Sequence, residues 1–401
     1  MALLAVAEAQ RIVLEHTQRA VAETYVLSEI CLGDVLAEAV ACEGDSPPFD
    51  KAMVDGYAIL ASDIAAGKQT FRVTQEILAG QFSESPVVSG EAASIMTGAP
   101  LPPDADAVVM LEQTELVGDQ VRIPISVKPR QNIMARGSEM RVGEVILQPG
   151  AVLRAMELGL LATLGRAEAQ LSRRPRVAIL STGDEVVEPG QPLGMGQIRN
   201  SNASMLAALV QREHGIPRYH GIARDTVGSL GPAIQRGLQD DVLLITGGVS
   251  AGKVDLVPEV LAQMGVETHF HKVSLKPGKP LLFGTRGNTL VFGLPGNPVS
   301  GLVGFELFVA PALRKMLGKP EPHIPEALQA YWSIAGGNRS DRPTYFPVKL
   351  HMSDGRYIAT SLAWKGSGDL RTLSEADALA VFPAGEVRYA AGDSVNVLRL
   401  L

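Results

Sequence analysis

The chain is predicted to be a multi-domain α/β plus β protein. It should contain a doubly wound α/β domain, a β-rich second domain, an extended linker domain and a C-terminal β-barrel-like domain. Three observations predict it. Between Arg173 and Pro320, the strand-like runs RVAIL, RYHGIA, DVLLI and TLVFG alternate with helical segments, as in a mostly parallel sheet wound by helices. Between Phe49 and Glu139, short runs such as YAIL, FRVTQEIL and QVRIPI are broken by Gly and Pro, the texture of a compact β unit. Past Pro320 and Pro322 come YWSI, YFPVKLHM, YIATSLAW, ALAVFPA and DSVNVLRLL, with hairpin breaks such as Ser353-Asp354-Gly355, which read as a small barrel or sandwich.

The expected domains are 1–48 with 140–172 (extended linker, discontinuous), 49–139 (β-rich), 173–320 (α/β) and 321–401 (C-terminal barrel). The start, MALLAVAEAQRIVLEH, spaces its apolar residues as an amphipathic helix and is interrupted by Glu8, Gln10 and Arg11. With no basic leading segment it is not a signal peptide. Residues 151–172, AVLRAMELGLLATLGRAEAQLS, return to helical periodicity.

A length of 401 residues calls for several domains, and 46% apolar against 20% charged residues describes a packed globular protein. The net charge of -7 argues against nucleic acid as a partner. No apolar run reaches membrane-spanning length, so the cytoplasm is the expected location. Cys31 and Cys42 are too few for a disulfide framework or a cysteine metal site. His269 and His271 alternate on a likely strand and lack further ligands nearby, so they read as structural or surface residues. Trp332 and Trp364 read as core residues of the last domain.

In a doubly wound sheet the ligand sits beyond the carboxyl ends of the strands, and the unusual polar clusters fall there. Asp184 and Glu185 follow RVAIL, Asp225 follows HGIA, and Asp255 follows TGGVS. Earlier, Asp55 in MVDGYA and Glu139 in RGSEM sit beside glycines. Each acid alone could be a helix cap, Asp225 above all. Together they supply the hard oxygen ligands that magnesium takes alongside substrate phosphates. Thr97 in SIMTGAP and Ser250 in TGGVS place hydroxyls beside flexible glycines, as anion donors or as turn residues.

Gly247, Gly252 and Lys253 spell G-x-x-x-x-G-K, the outline of a P-loop. The hydroxyl that must follow the lysine to ligate magnesium is replaced by Val254, which makes a nucleotide triphosphate a poor fit.

The window from Thr268 to Phe305 contains no Asp or Glu but holds Lys272, Lys276, Lys279 and Arg286. Two ammonium groups about 7 Å apart repel by roughly 2 kcal/mol at an effective dielectric near 20. A rigid Lys276-Pro277-Gly278-Lys279 turn gains from that proximity where a multivalent anion lies between the charges. The other reading is a solvated basic loop.

MVDGYA, SIMTGAP, STGDE, GGVSAGKVD, KPGKP, LPGNPVS and KGSGDL occur in that order and span nearly the whole chain. The set resembles the MoeA-type molybdopterin molybdenumtransferases, a family that includes the E domain of gephyrin. The resemblance makes the α/β domain a molybdopterin-binding one. It implies a four-domain homodimer with the active site shared across subunits. The implied reaction inserts molybdate into adenylylated molybdopterin with magnesium and releases AMP, the last step of molybdenum cofactor synthesis.

By the same resemblance Asp55, Thr97, Glu185, Asp225, Asp255, Lys272, Lys276 and Lys279 are the active-site residues. Glu185, Asp225 and Asp255 would hold magnesium. Thr97, Gly247, Gly248, Ser250, Pro295 and Asn297 would bind the pterin substrate, and Lys276, Lys279, Ser300, Arg342 and Ser367 the molybdate, with Arg339 competing for the role of Arg342. A molybdopterin adenylyltransferase and apo-molybdoenzymes are the implied partners. Lys253, Leu256 and Glu139 depart from the family pattern. The alternatives are a related adenylyltransferase and a gephyrin-like scaffold.

Overall fold

The computed structural model describes residues 3–27, 31–249, 256–324 and 326–400. Ser250, Lys253 and Asp255, named above, lie outside the described residues. The chain clusters into two compact units. One comprises Met1–Ala37, Pro149–Leu158 and Ala167–Leu401, the other Glu38–Gln148 and Gly159–Arg166.

The larger unit is built on a six-stranded sheet. Its order is Ile216–Ala223, Arg176–Thr182, Val242–Thr246, Thr289–Leu294, Leu282–Arg286 and Glu267–Phe270. The first four strands are parallel, and the last two add on antiparallel. Side chains alternate across the sheet, and both faces are buried. Val177, Ile179, Val242 and Leu244 face one core together with residues of helices Val6–His16 and Ser201–Arg212. Ala178, Leu180, Leu243 and Ile245 face the other, against helices Val227–Gly237 and Val257–Gln263. That two-sided burial is why these strands are apolar throughout rather than alternating.

The expected amphipathic start is the helix Val6–His16, which buries Ala9 and Val13. The long apolar helix after LPGNP runs as Pro298–Gly304, a π-helical Phe305–Val309 and Ala310–Met316. The C-terminal strands Leu328–Trp332, Arg356–Ser361, Thr344–Ser353, Ala378–Phe382 and Ser394–Arg399 close into a barrel in that order. Trp332 is in its core, whereas Trp364 packs against the α/β core and edge-on to Phe346 at 5.2 Å.

Two local expectations differ. Helical periodicity holds only over Ala155–Thr163, and Glu168–Ser172 is a strand paired antiparallel with Ala22–Val26. Gly165, at φ +74, turns the chain out of the helix, and a partner more than a hundred residues away (Ala22 faces Ser172) makes the strand. Likewise the strand carrying His269 stops at Phe270, so His271 does not continue the alternation. Its Nε2 lies 2.9 Å from the Val249 carbonyl, while His269 Nε2 lies 2.9 Å from Thr285 Oγ1.

The smaller unit holds a six-stranded mixed sheet ordered Ala107–Met110, Gly56–Ile59, Glu91–Ile95, Thr70–Ile77, Gln120–Arg122 and Glu115–Val117. Gly56 is required there, because a Cβ would stand 1.9 Å from the Val109 carbonyl oxygen.

Candidate active site

Three of the parallel strands end in Thr182, Thr246 and Leu294, and their loops converge on a cavity of about 620 Å³. Strand Arg176–Thr182 has Ile216–Ala223 on one side and Val242–Thr246 on the other. The connections on either side of it therefore diverge and open a crevice, the position at which doubly wound sheets bind ligands. The cavity wall brings together Glu185, Asp225, Gly247, Gly248, Pro295 and Asn297 from the expected residues.

Gly247 and Gly248 have φ of +95 and +62, conformations that favour glycine. A Cβ on Gly247 would come within 2.6 Å of the Thr182 carbonyl oxygen. The turn can lie this close to its neighbouring strand only without side chains. Thr226, not Asp225, precedes helix Val227–Gly237 as its N-cap residue, and Asp225 lines the cavity.

The cavity also contains residues that sequence reasoning missed: Ser181, Thr182, Asn200, Asn202 and Thr246. Asn200 caps helix Ser201–Arg212 by accepting from Ala203 N at 3.2 Å, and its Oδ1 accepts from Ser181 Oγ at 3.1 Å. Its Nδ2 donates to Tyr219 Oη at 2.8 Å, and Tyr219 donates to Glu188 at 2.6 Å. Burial and the Glu188 carboxylate push the Tyr219 phenol well above its ordinary range, so it remains a donor. The signal available in the sequence was IRNSNAS, an Asn placed to cap the following helix.

The lysine turn is tied to the start of the barrel. Lys276 N donates to the Pro343 carbonyl at 2.8 Å, and Tyr345 N donates to the Lys276 carbonyl at 2.8 Å. Lys276 lines a second, open cavity of about 630 Å³ with Arg339, Arg342, Asp341 and Glu386. Arg342 is engaged, with Nε 3.0 Å from Asp341 and a guanidinium N–H donating to the Leu275 carbonyl at 3.2 Å. Arg339 stands across the strand pair from Glu386, which binds Arg388 instead at 2.9 Å. Lys279 acts on Asp341, whose carboxyl is held below its usual range mainly by the Arg342 hydrogen bond.

Neither cavity wall includes Lys272, Lys279, Ser300 or Ser367. Ser300 is buried in helix Pro298–Gly304. Ser367 Oγ accepts from Asn297 Nδ2 at 3.0 Å, fastening the KGSGDL segment to the LPGNP loop.

In the smaller unit, Asp55 accepts two hydrogen bonds from Thr97, from its backbone N and from Oγ1, each 2.7 Å. These hold the Asp55 carboxyl below its ordinary value. Glu139 accepts from Ser46 Oγ at 2.9 Å.

A crevice at the carboxyl edge, walled by a glycine turn and by Glu185 and Asp225, defines a molybdopterin-binding α/β protein once the matching families are considered. Residues 4–165 match the MoeA N-terminal region (domains I and II), 178–315 a probable molybdopterin binding domain, and 337–400 the MoeA C-terminal region (domain IV). The molybdopterin molybdenumtransferase of a Nostoc species is 36% identical over 377 residues, covering 92% of this chain and 86% of that one. The Bacillus subtilis protein of the same name is 33% identical, covering 96% and 91%. A crystal structure of the molybdopterin biosynthesis MoeA protein from Pyrococcus horikoshii superposes with a TM-score of 0.86 at 31% identity, over 99% of both chains. The chain belongs to the MoeA family of molybdopterin molybdenumtransferases. It carries that family's α/β domain and a closed C-terminal barrel.

Proposed function

We propose that this protein inserts molybdate into adenylylated molybdopterin and releases AMP, completing the molybdenum cofactor. The observation that carries the reading is the cavity at the sheet's carboxyl edge, where Glu185 and Asp225 share a wall with the Gly247-Gly248 turn and Asn297. Its glycine turn lets a substrate approach the backbone closely, and its loops come from three strands fixed in a rigid sheet.

Magnesium fits this donor set. Among the described residues no group of three His, Cys, Asp or Glu is placed to hold a metal, but magnesium needs only one or two carboxylates when phosphates complete its shell. Glu185 and Asp225 would hold it, together with Asp255. Bound there, it would neutralise charge on a phosphoanhydride.

Molybdate, a dianion, is the proposed substrate of the basic cavity around Lys276, with Lys279 and Ser300 as its further proposed ligands, whereas Ser367 lies on Asn297 in the wall of the first cavity. Arg339 is the better-disposed guanidinium for it, because Arg342 already serves Asp341 and Leu275. Arginine suits the task, since its fixed donors match an oxyanion.

The proposed assembly is a homodimer in which Asp55 and Thr97 of one copy act on the substrate bound by the other. Equal mixtures of Asp55→Asn and Lys279→Ala subunits, unfolded and refolded together, should recover about a quarter of wild-type turnover through hybrid dimers. No recovery would remove the shared site. For the reaction itself, Lys279→Ala should abolish molybdate-dependent AMP release from adenylylated molybdopterin. Unchanged release would eliminate that lysine's role, and no release by the wild-type protein would eliminate the reaction.

A further inference from the structure

Three separate pieces of the second cavity meet at one buried residue that does not line it. Thr344, the first residue of strand Thr344–Ser353, is 1% exposed. Its Oγ1 donates to the Arg342 carbonyl at 3.4 Å and accepts from Asn338 Nδ2 at 2.9 Å. A hydroxyl has one proton to give, and a backbone carbonyl can only accept. The Asn338 amide must therefore turn an N–H to Thr344, which fixes both side chains. The third piece, the lysine turn, is held through the backbone. Lys276 forms a parallel bridge with Thr344, flanked by its bonds to Pro343 and Tyr345.

Asn338 sits in the middle of strand Gly336–Ser340, which pairs only with Gly385–Tyr389. A two-stranded ribbon is marginal in water by itself, so its placement depends on what ties it to the barrel. At one end Gly336 faces Tyr389, whose ring packs on Trp332 and Phe382 at 6.4 and 5.3 Å. At the other end Ser340 faces Gly385, and both line the cavity. Towards that end the ties are Asn338 to Thr344 and the Arg342 N–H to Ser340 Oγ at 3.2 Å. Neighbouring side chains of a strand point to opposite faces. Drawing Asn338 onto Thr344 thus turns Arg339 the other way, and Arg339 lines the cavity.

Donors that are already in place cost less to engage than donors that must be ordered when the ligand arrives. We propose that Thr344 is a positioning residue for the basic cavity, its hydroxyl pinning the Arg339 ribbon and the Arg342 turn beside Lys276 before an oxyanion binds. This rests on the proposed function for the identity of that oxyanion, molybdate. Thr344 touches no substrate and acts only through Asn338, Arg342 and the bridge to Lys276.

The test uses the full-length protein, with molybdate binding followed by calorimetry and turnover by AMP release. Thr344→Val keeps the branched shape and removes the hydroxyl, and the half-buried Asn338 can then turn its amide to water. It should weaken molybdate binding about tenfold. In turnover the half-saturating molybdate should rise by the same factor. The limiting rate and the half-saturating adenylylated molybdopterin should stay within about twofold. Thr344→Ser, which restores the hydroxyl, should bind molybdate as wild type does. Asn338→Ala lies outside the barrel core and should match Thr344→Val, and the double variant should be no worse than either. Wild-type molybdate affinity in both Thr344→Val and Asn338→Ala would overturn the positioning role. So would a loss in Thr344→Val that Thr344→Ser shares, a loss spread equally over the limiting rate and both substrates, or no saturable molybdate binding by the wild-type protein. Absence of AMP release with this binding pattern intact would strike the transfer reaction and leave the positioning role standing.

Discussion

The two cavities of the larger unit are nearly equal in volume, about 620 and 630 Å³, yet their walls differ in charge. The first is walled by loops that leave a parallel sheet, and its chemistry is carboxylate, amide and hydroxyl, with Arg199 among them. The second lies where the lysine turn meets the barrel's first residues, and Lys276, Arg339 and Arg342 dominate it, offset by Asp341 and Glu386. The contrast shows how an acidic chain can handle an oxyanion. Its net charge of -7 sets the long-range field, but a local excess of short-range cationic donors decides what binds.

The sharpest way to break this comparison is to neutralise the acids of the first cavity. Glu185→Gln combined with Asp225→Asn should lower turnover by about a thousandfold. The molybdate concentration for half-maximal rate should stay unchanged, measured by AMP release at varied molybdate. If molybdate dependence moved instead, the division of labour between the cavities would be wrong.

A control of comparable severity lies outside both cavities. Arg212 pairs with Glu306 at 2.7 Å and with Glu213 at 3.1 Å, and Arg314 also binds Glu213 at 2.8 Å. Burial raises the Glu306 carboxyl above its usual value even with Arg212 beside it. Arg212→Ala leaves that buried acid uncompensated and should cost about 3 kcal/mol in urea denaturation. Substrate affinity of the folded fraction should be unchanged.

Arg339→Ala sharpens the second cavity. It should raise the molybdate requirement about tenfold with little change in limiting rate, and Arg342→Ala should additionally loosen the Lys276 turn. An effect on the limiting rate alone would show that Arg339 does not bind the free oxyanion.

The smallest effect concerns Asp55. Its carboxyl is held low by the Thr97 backbone N–H and then the hydroxyl. A lowered group contributes above the unfolded value and loses that contribution as pH falls through its folded one. Thr97→Val, which keeps the N–H, should raise the Asp55 titration part of the way towards the usual carboxylate range. Carbon-detected NMR titration would show it. Above pH 6 the aspartate stays ionised in both proteins.

Much of the architecture is legible in the sequence. RVAIL, DVLLI and TLVFG are apolar enough to be recognised as strands covered on both faces, and Gly247-Gly248 and LPGNP mark the turns beyond them. Other parts were not readable, for specific reasons. LFGTR becomes a strand only because Thr289–Leu294 offers it an antiparallel partner, and ETHF becomes the edge strand because LFGTR in turn offers it one. EAQLS scans as helix until Ala22–Val26 pairs with it. Asn202 and Thr182 look unremarkable in sequence, and only the fold brings both into the wall of the first cavity.

By itself, the amino-acid order determined the periodicities, the glycine and proline breaks and the local concentration of lysines without acids, because these depend on neighbours along the chain. Only the tertiary structure decided which strands pair, that the last domain closes as a barrel, and that among the described residues Arg342 is already occupied while Arg339 is not. Those outcomes depend on groups far apart in sequence competing for the same hydrogen bonds and the same buried space.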